Sequence, residues 1–355
     1  MDQISRIGMD TSKRVFQLHG VDKEERVVLR RKLRRGDVLP FFAKLAPTRI
    51  GMEACGGSHY WARELRALGH TVVLIPPQYV RPYVDRGKND AADAEAICEA
   101  MSRPKVERRQ VLVKTVEQQS GQMLIGVREG LLNRRTQVSN MIRGYASEFG
   151  LVASKGLTHL EPLLARIEAD DALPELAREM FAMLAGQYRH VSMQIREIDA
   201  RLLEQHRASP QSRRLAEIPS VGPVIAAALT AKVADPSRFR SGRDFAAWLG
   251  LTPKDHSTGG KARQGRITRA GDEMLRSLLI CGASSVIQKA RQGQGGGPAW
   301  LSALVARKPP KLAAVALANK TARIAWKMMV TGDRYDPCRH RTPHAPGADA
   351  FAEAA

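Results

Sequence analysis

Short strand-like runs of apolar residues alternate with helical stretches over the first hundred residues of the chain. Three of them, at 6–10, 15–19 and 25–29, predict a hairpin followed by a third antiparallel strand. The pattern then predicts a helix, a strand, a second helix and a last strand, over about 37–45, 49–53, 58–68 and 71–75. We therefore expect an α/β unit in this part of the chain.

The middle of the chain follows a helical period instead. From about 113 to 206 proline is rare, and apolar residues recur at helical spacing, as in Leu124, Val127 and Leu131. Breaks at 150–162 and near Pro174 divide this stretch into at least two helical segments. Two roles stay open for these helices: a simple spacer, or a coiled coil that joins protomers or grips nucleic acid.

The last third of the chain combines helices with turn-forming residues. A turn at 218–223 before a helix at 224–232 predicts a helix-hairpin-helix element, in which Gly222 lets backbone amides approach a phosphate. The other predicted features are a Gly-, Lys- and Arg-rich loop, two helices and a disordered proline-containing tail, at 252–269, 273–290, 310–329 and from 331 onwards.

The order of the first seven elements is that of a ribonuclease-H-like domain, in which the first strand lies beside the fourth. We therefore predict an α/β plus α protein in four parts. They are a ribonuclease-H-like metal domain, a helical coiled-coil connector, a mostly α-helical C-terminal domain and a disordered tail, at 1–110, 111–210, 211–332 and 333–355.

The composition of the chain indicates which class of partner the protein binds. With 43% hydrophobic and 26% charged residues, the chain has the balance of a folded protein. Its formal net charge of +20 favours nucleic acid over a membrane, because Lys and Arg that bind phosphates release condensed counterions. No apolar run reaches the roughly 18–20 residues of a membrane span, and no signal peptide is evident, so a cytoplasmic protein is expected.

Cysteine and aromatic usage exclude two further kinds of site. The four cysteines have no zinc-ligand spacing and are interpreted as reduced thiols, at Cys55, Cys98, Cys281 and Cys338. Aromatic residues make up only 5% of the chain, so recognition of nucleic acid through backbone and shape is favoured over base stacking.

Acidic residues stand where the predicted strands end. Asp10 ends the first strand and Glu53 ends the fourth, so neighbouring strands would bring both carboxylates to one edge of the sheet. Asp90 and Asp93 are three residues apart on an Ala-rich helix and point the same way. Four such carboxylates can hold two Mg²⁺ ions, which are hard and take oxygen ligands, for phosphodiester exchange.

Each acid also has an ordinary structural explanation. Asp10 would be a turn residue, Glu53 a solvated strand end, and the helical pair Asp90 and Asp93 would favour the helix dipole. Singly, each structural explanation is the better one. Together, in this order and on these elements, the metal-binding interpretation is favoured.

Six motifs resemble the DEDD transposases of the IS110 family, in particular its IS1111 branch, along nearly the whole chain. Three contain the acids: Gly-Met-Asp-Thr-Ser-Lys, Gly-Met-Glu-Ala-Cys-Gly-Gly and Lys-Asn-Asp-Ala-Ala-Asp-Ala-Glu-Ala, at 8–13, 51–57 and 88–96. Three lie in the C-terminal half, at 218–223, 235–242 and 250–261.

The resemblance implies a Holliday-junction-resolvase-like metal domain, a coiled-coil connector and a transposase domain with an essential serine. Asp10, Glu53, Asp90 and Asp93 would be the metal tetrad, with Mg²⁺ as the ion and Mn²⁺ as its alternative. A structured noncoding bridge RNA would guide recombination between donor and target DNA. The serine would attack a DNA phosphate and form a covalent phosphoserine link.

Ser257 is our choice of nucleophile, with Thr258 as the alternative. Thr258 stands where many family members have their serine, but it is β-branched and hindered. Ser257 lies in a Gly-rich cationic loop, where a serine can also have a purely structural role as a turn residue. The nearby cations Lys261, Arg263, Arg266 and Arg269 are candidate phosphate contacts, as are Arg86 and Lys88 beside the helical acids.

The cationic run at 30–35 is balanced between phosphate contact and a solvated face. The function predicted overall is that of an insertion-sequence transposase acting as a dimer or tetramer, nucleoid-associated in a bacterial cytoplasm. The alternatives are a metal-dependent junction nuclease without a covalent intermediate, and a non-catalytic nucleic-acid-binding protein.

Overall fold

The computed structural model describes residues 4–84, 90–107, 109–255, 264–293 and 299–337. The chain divides into two compact units, Met1–Thr115 and Val116–Ala355. Among the described residues, no helix has both the length and the apolar composition needed to cross a membrane. The three described cysteines, Cys55, Cys98 and Cys281, are free thiols, as predicted.

The first unit is built on a five-stranded mixed sheet. Its strands are β1 (Arg6–Asp10), β2 (Val15–Val21), β3 (Val27–Arg34), β4 (Arg49–Glu53) and β5 (Thr71–Ile75). They lie in the order β3-β2-β1-β4-β5, with β1, β4 and β5 parallel and β2 antiparallel to both of its neighbours. The predicted pairing of the first and fourth strands is therefore confirmed.

Helices cover both faces of this sheet. They are α1 (Val38–Phe42), α2 (Ser58–Ala67), α3 (Pro77–Val80), α4 (Asp90–Met101) and α5 (Pro104–Glu107). On one face, Met9, Phe16 and Met52 are fully buried in a core that also takes side chains from α1 and α2. On the other face, α4 lies against β1 and β2 and buries Ile97 and Met101.

The third strand was predicted at 25–29 and is instead Val27–Arg34, so that prediction was wrong at both ends. The strand contains the cationic run, in which only Leu33 is buried. Because β3 is an edge strand of the sheet, charged side chains on it reach water, and the apolar pattern from which a strand is predicted is lost.

The second unit begins with long helices. They are α6 (Val116–Glu148), α7 (Leu160–Glu168) and α8 (Glu175–Ala208). The predicted breaks at 150–162 and near Pro174 separate them, although α7 already begins at Leu160, inside the first predicted break. α6 and α8 pack against each other, with Ile142, Phe181 and Tyr188 in their shared core.

The rest of the second unit is mostly helical. Its helices are α9 (Pro210–Leu215), α10 (Pro223–Lys232), α11 (Gly242–Trp248), α12 (Glu273–Arg291), α13 (Ala299–Arg307) and α14 (Pro310–Thr331). Their core includes Leu229, Phe245 and Leu279, all fully buried. α14 continues to Thr331, where the disordered tail was predicted to begin, and residues 338–355 lie outside the described residues.

The segment predicted as a loop at 252–269 contains a small antiparallel hairpin. Its strands are β6 (Pro253–Asp255) and β7 (Gln264–Ile267). Gly271, with φ of 74°, lies directly behind it, and a Cβ there would come within 1.8 Å of the Trp248 carbonyl oxygen. The backbone at Gly271 therefore lies directly against the end of α11, a close approach that local sequence patterns do not reveal.

Candidate metal centre

Asp10 and Glu53 end adjacent parallel strands. Gly8 pairs with Gly51 in the β1–β4 register, and Met9 pairs with Met52. Each acid is the next residue along its strand, so the two carboxylates leave the sheet at the same edge. Because side chains alternate along a strand, Asp10 lies on the same face as Gly8, and Glu53 on the same face as Gly51.

The two glycines let α4 lie directly on the sheet. A Cβ on Gly8 would lie 2.1 Å from the carbonyl oxygen of Ala94, and one on Gly51 would lie 2.2 Å from the sulfur of Met101. A side chain at Gly8 would meet the backbone of the helix and push it away, whereas one at Gly51 would displace the side chain of Met101. The close approach brings the N-terminal turn of α4 over the strand ends that carry the acids.

Three carboxylates meet at this point. Ligand oxygens of Asp10, Asp90 and Asp93 all lie within 4.8 Å of one another. Asp10 and Asp93 are half-buried and Asp90 is exposed, so the group opens to solvent on one side. Glu53 is not part of this closest group, although it is near enough for the charge of Asp93 to act on it.

The carboxylates of this group carry like charges and repel one another. The pKa of Asp10 is raised to about 6, mainly by burial and then by the charges of Asp93 and Asp90, and the backbone N–H of Thr11 partly offsets this increase. Burial, and then the charge of Asp93, raises the pKa of Glu53. Carboxylates held together against such repulsion form an oxygen donor set that suits a hard divalent cation.

Sequence reasoning missed the residues that hold this arrangement together. The Thr11 hydroxyl and the Cys55 thiol lie 3.2 Å apart and join the turns that follow β1 and β4. The role of the two glycines was also missed. A signal was present, because glycine stands two residues before the acid in both Gly-Met-Asp and Gly-Met-Glu.

The predicted C-terminal residues lie in the second unit. Ser257, Lys261 and Arg263 fall outside the described residues, between the paired strands β6 and β7, and Arg86 and Lys88 of the first unit also fall outside them. Arg266 is an exposed residue of β7. Arg269 is exposed as well and has a φ of 56°, in the left-handed region.

The predicted hairpin at 218–223 joins α9 to α10. Gly222 is exposed at the N-cap of α10, but its φ of −85° is ordinary, and the left-handed residue is Ser220, with φ of 79°. The Ser220 hydroxyl lies 3.0 Å from that of Thr321. Gly282 of α12 stands so close that a Cβ on it would lie 2.1 Å from the Ser220 carbonyl oxygen.

Two family models match the chain. One, described as a transposase of the DEDD type in IS110 elements, matches residues 7–149, and the other, the transposase IS116/IS110/IS902 family, matches residues 212–295. The first match contains all four acids of the predicted tetrad. The second contains the hairpin at 218–223 and the strands β6 and β7.

Relatives of known name match along most of their length. The protein y4pF/y4sB of Sinorhizobium fredii is 59% identical over 336 residues, which are 94% of this chain and 86% of that protein. The transposase for insertion sequence element IS1328 of Yersinia enterocolitica is 36% identical, over 94% of this chain and 98% of its own. The transposase for IS1111A of Coxiella burnetii is also 36% identical, over 94% and 92%.

These matches confirm the resemblance that the motifs carried and the enzyme class expected from it. The chain belongs to the IS110 family of DEDD transposases, which are enzymes that cleave and rejoin DNA.

Proposed function

We propose that the protein is an insertion-sequence transposase in which Asp10, Glu53, Asp90 and Asp93 hold Mg²⁺, with Mn²⁺ as the alternative ion. A DEDD transposase domain implies the use of a divalent metal. The observation that carries the assignment is the convergence of three carboxylates within 4.8 Å at the end of β1 and the start of α4. Glu53, which lies outside this closest group, would join them from the end of the adjacent strand.

The first unit is proposed to be a ribonuclease-H-like domain. The strand order β3-β2-β1-β4-β5, with three antiparallel strands first and two parallel strands after them, supports this assignment. The α9–turn–α10 element supports a helix-hairpin-helix in the second unit. The four-part division at 110, 210 and 332 stays a proposal, as does the coiled-coil role of α6 and α8.

The bound metal would stabilise the attacking and leaving oxygens at the phosphate. The four acids would hold it there through their carboxylate oxygens, and Asp10, whose pKa is raised to about 6, must lose its proton to take part. The N-terminus of α4 lies at the site because the helix rests on Gly8 and Gly51. The packing of α4 on the sheet therefore sets the distance between the acids of the helix and the acids of the strands.

Ser257 is the proposed nucleophile. Its Oγ would attack the phosphorus and form a phosphoserine ester, while the bond from phosphorus to one deoxyribose oxygen breaks. The serine proton leaves to a base, and the departing oxygen takes up a proton. Arg266 and Arg269, with Lys261 and Arg263, would offset the charge that develops at the phosphate. The strands β6 and β7, which flank residue 257 in sequence, pair with each other.

A covalent adduct tests this assignment against a nuclease that uses only metal and water. We expect wild-type protein and Thr258→Ala to trap DNA covalently, and Ser257→Ala to trap none, because a covalent phosphoester survives denaturation of the protein and DNA that is bound without a covalent link does not. Asp10→Asn should abolish adduct formation. Cleavage of DNA by Ser257→Ala at the wild-type rate would overturn the serine assignment and favour the metal-only nuclease.

A structured noncoding RNA is the proposed guide, and a dimer or tetramer the proposed assembly. The net charge of +20 and the low aromatic content support a partner bound through its backbone. Exposed apolar side chains on α6 and α8, at Met123, Val127, Met180 and Met183, support association through these helices. Sequencing of RNA that co-purifies with the protein should recover a transcript encoded beside the gene.

The active site is proposed to be composite, with the acids of one subunit completing the serine of another. Mixing Asp10→Ala subunits with Ser257→Ala subunits should then restore part of the recombination activity. Complete inactivity of the mixture would argue against shared sites, provided that each variant alone forms the wild-type oligomer.

A further inference from the structure

The cationic run of β3 is divided between the two faces of the sheet. Leu33 is 5% exposed within the core under α1, and the Arg31 guanidinium lies 5.0 Å from the centre of the Phe41 ring on that same side. Arg30 lies on the opposite face, where its guanidinium is 3.8 Å from a carboxylate oxygen of Glu95 in α4. Residues at even positions of the run therefore lie on the face that α4 covers.

The strand register connects this face to the acidic cluster. Asp10 pairs with Gln17 of β2, and Gln17 pairs with Lys32 of β3. Paired residues of adjacent strands project to the same side, so Lys32 shares a face with Asp10 at the same height along the sheet. Two inter-strand spacings of about 4.8 Å place the two backbones roughly 10 Å apart. Arg34 lies on the same face, two residues further along β3, and is therefore beyond the level of Asp10.

The surface between them is open. α4 covers His19, which is 5% exposed, but Gln17 at the next position on that face is half-exposed. Lys32 and Arg34 are exposed, and neither forms an ion pair with another of the residues that the structure describes. Arg30, by contrast, already lies near the carboxylate of Glu95. Lys32 and Arg34 are therefore available to a ligand on this face.

We propose that Lys32 and Arg34 bind phosphates of the DNA strand that enters the acidic cluster. The location of the cut phosphate rests on the proposed function, whereas the face and exposure of the two cations do not. A DNA strand that approaches Asp10, Asp90 and Asp93 brings negative charge towards negative charge. Cations along its path, on the same sheet face, offset that repulsion and set the line on which the strand lies.

Edge-strand protection is the competing explanation for these charges. Lysine on an edge strand prevents pairing with other chains, and such a role needs no DNA. It predicts that neutral variants aggregate while their affinity for DNA is unchanged. The two explanations therefore differ in a measurable way.

The test compares single neutral variants of adjacent residues that lie on opposite faces. Lys32→Gln and Arg34→Gln remove a charge on the face of the acids, and Arg31→Gln removes one from the other face of the same strand. Each is made in full-length Asp10→Asn protein, so that no cleavage occurs. Binding to a mixed-sequence DNA duplex is measured over a series of salt concentrations, with size-exclusion chromatography for aggregation.

We expect Lys32→Gln and Arg34→Gln each to reduce the slope of log Kobs against log salt by about 0.9, the value for one phosphate contact. Arg31→Gln should leave the slope unchanged. An equal effect of all three variants would overturn the proposal, because a general electrostatic attraction to DNA does not depend on the face of the sheet from which a charge is removed. Unchanged slopes with aggregation would establish edge protection instead.

Duplex RNA of the same sequence serves as a second ligand. A loss of slope that appears with RNA alone would assign this surface to an RNA and overturn the proposal for DNA. DNA cleavage is measured separately, with the wild-type protein and with the Asp10→Asn variant that carries no change in β3. If Asp10→Asn still cleaves, the proposed metal site fails, whatever the salt slopes of the β3 variants show.

Discussion

Replacing Asp10 by asparagine should stabilise the metal-free protein and remove its response to metal. Asp10 is held against Asp90 and Asp93, and its pKa is raised to about 6 from an ordinary value of 3.8. Asparagine keeps the size of the side chain and removes its charge. The substitution therefore separates the repulsion within the cluster from its packing.

The sign of the pH dependence follows from the raised pKa. Folded Asp10 holds a proton up to about pH 6, whereas the unfolded chain releases it near pH 3.8, so the folded state binds more protons between these values. Stability of the wild type therefore falls as pH rises through this interval. The penalty is complete above about pH 6 and absent below about pH 4, and Asp10→Asn lacks it.

The size of the effect is bounded by the shift. Roughly two pKa units at 1.36 kcal/mol each give a ceiling of about 3 kcal/mol. Because Asp10 is only half-buried, solvent screening reduces the expected gain to about 1–2 kcal/mol at pH 7. In the wild type, Mg²⁺ at about 100 times its Kd would add about 2.7 kcal/mol, and the variant should gain little of it.

Thermal unfolding at pH 4 and pH 7, with EDTA or with Mg²⁺ or Mn²⁺, measures both effects. Hydrogen exchange of β1 and α4 peptides assigns the change to the first unit. Asp37→Asn is the matched control, since Asp37 is exposed and its side chain makes no cap hydrogen bond to α1. The reasoning is refuted if Asp10→Asn lowers the metal-free Tm at pH 7, or if metal raises the Tm of the variant as much as that of the wild type.

Three further substitutions test the energetic role of individual buried or closely packed residues. Gly8→Ala should destabilise the protein by about 1–3 kcal/mol and weaken metal-induced stabilisation, because its Cβ would meet the Ala94 carbonyl at 2.1 Å; Gly36→Ala, with open space around it, should do neither in the same thermal assay. Arg276→Met should cost about 1–3 kcal/mol in urea unfolding, since the buried guanidinium donates to the carbonyls of Leu249 and Ala270; a neutral result would contradict a role in holding the β6–β7 base. Burial, Lys114 and Arg63 lower the pKa of His59 to about 4, so His59→Asn should flatten the loss of stability that this histidine causes as pH falls from about 6.5 to 4, and an unchanged pH profile would count against it.

Local patterns were sufficient for the elements of the first unit that are buried. β1, β4 and β5 have the predicted bounds, because each is a short, mostly apolar run that is buried at consecutive positions and bounded by polar or turn-forming residues. The acids were identified for the same reason, since Asp10 and Glu53 mark the points where buried strands end. The pairing of β1 with β4 followed from the order of elements, which leaves few ways to build one sheet.

Elements stabilised by contacts distant in sequence were not found. The cationic part of β3 carries no apolar alternation, and its strand conformation depends on pairing with β2. The hairpin of β6 and β7 lies in a segment rich in glycine and charge, and its base is held by Trp248, Gly271 and Arg276. Such contacts join positions whose local sequence predicts a loop.

The sequence by itself determined which residues are acidic, which strands are buried and which family the chain resembles, because composition and periodicity are properties of neighbouring positions. Only the tertiary structure decided how the acids meet. The approach of α4 to within contact of Gly8 and Gly51 brings Asp90 and Asp93 to Asp10 and leaves Glu53 outside the closest group. That spacing depends on two backbone surfaces in contact, and no spacing along the chain records it.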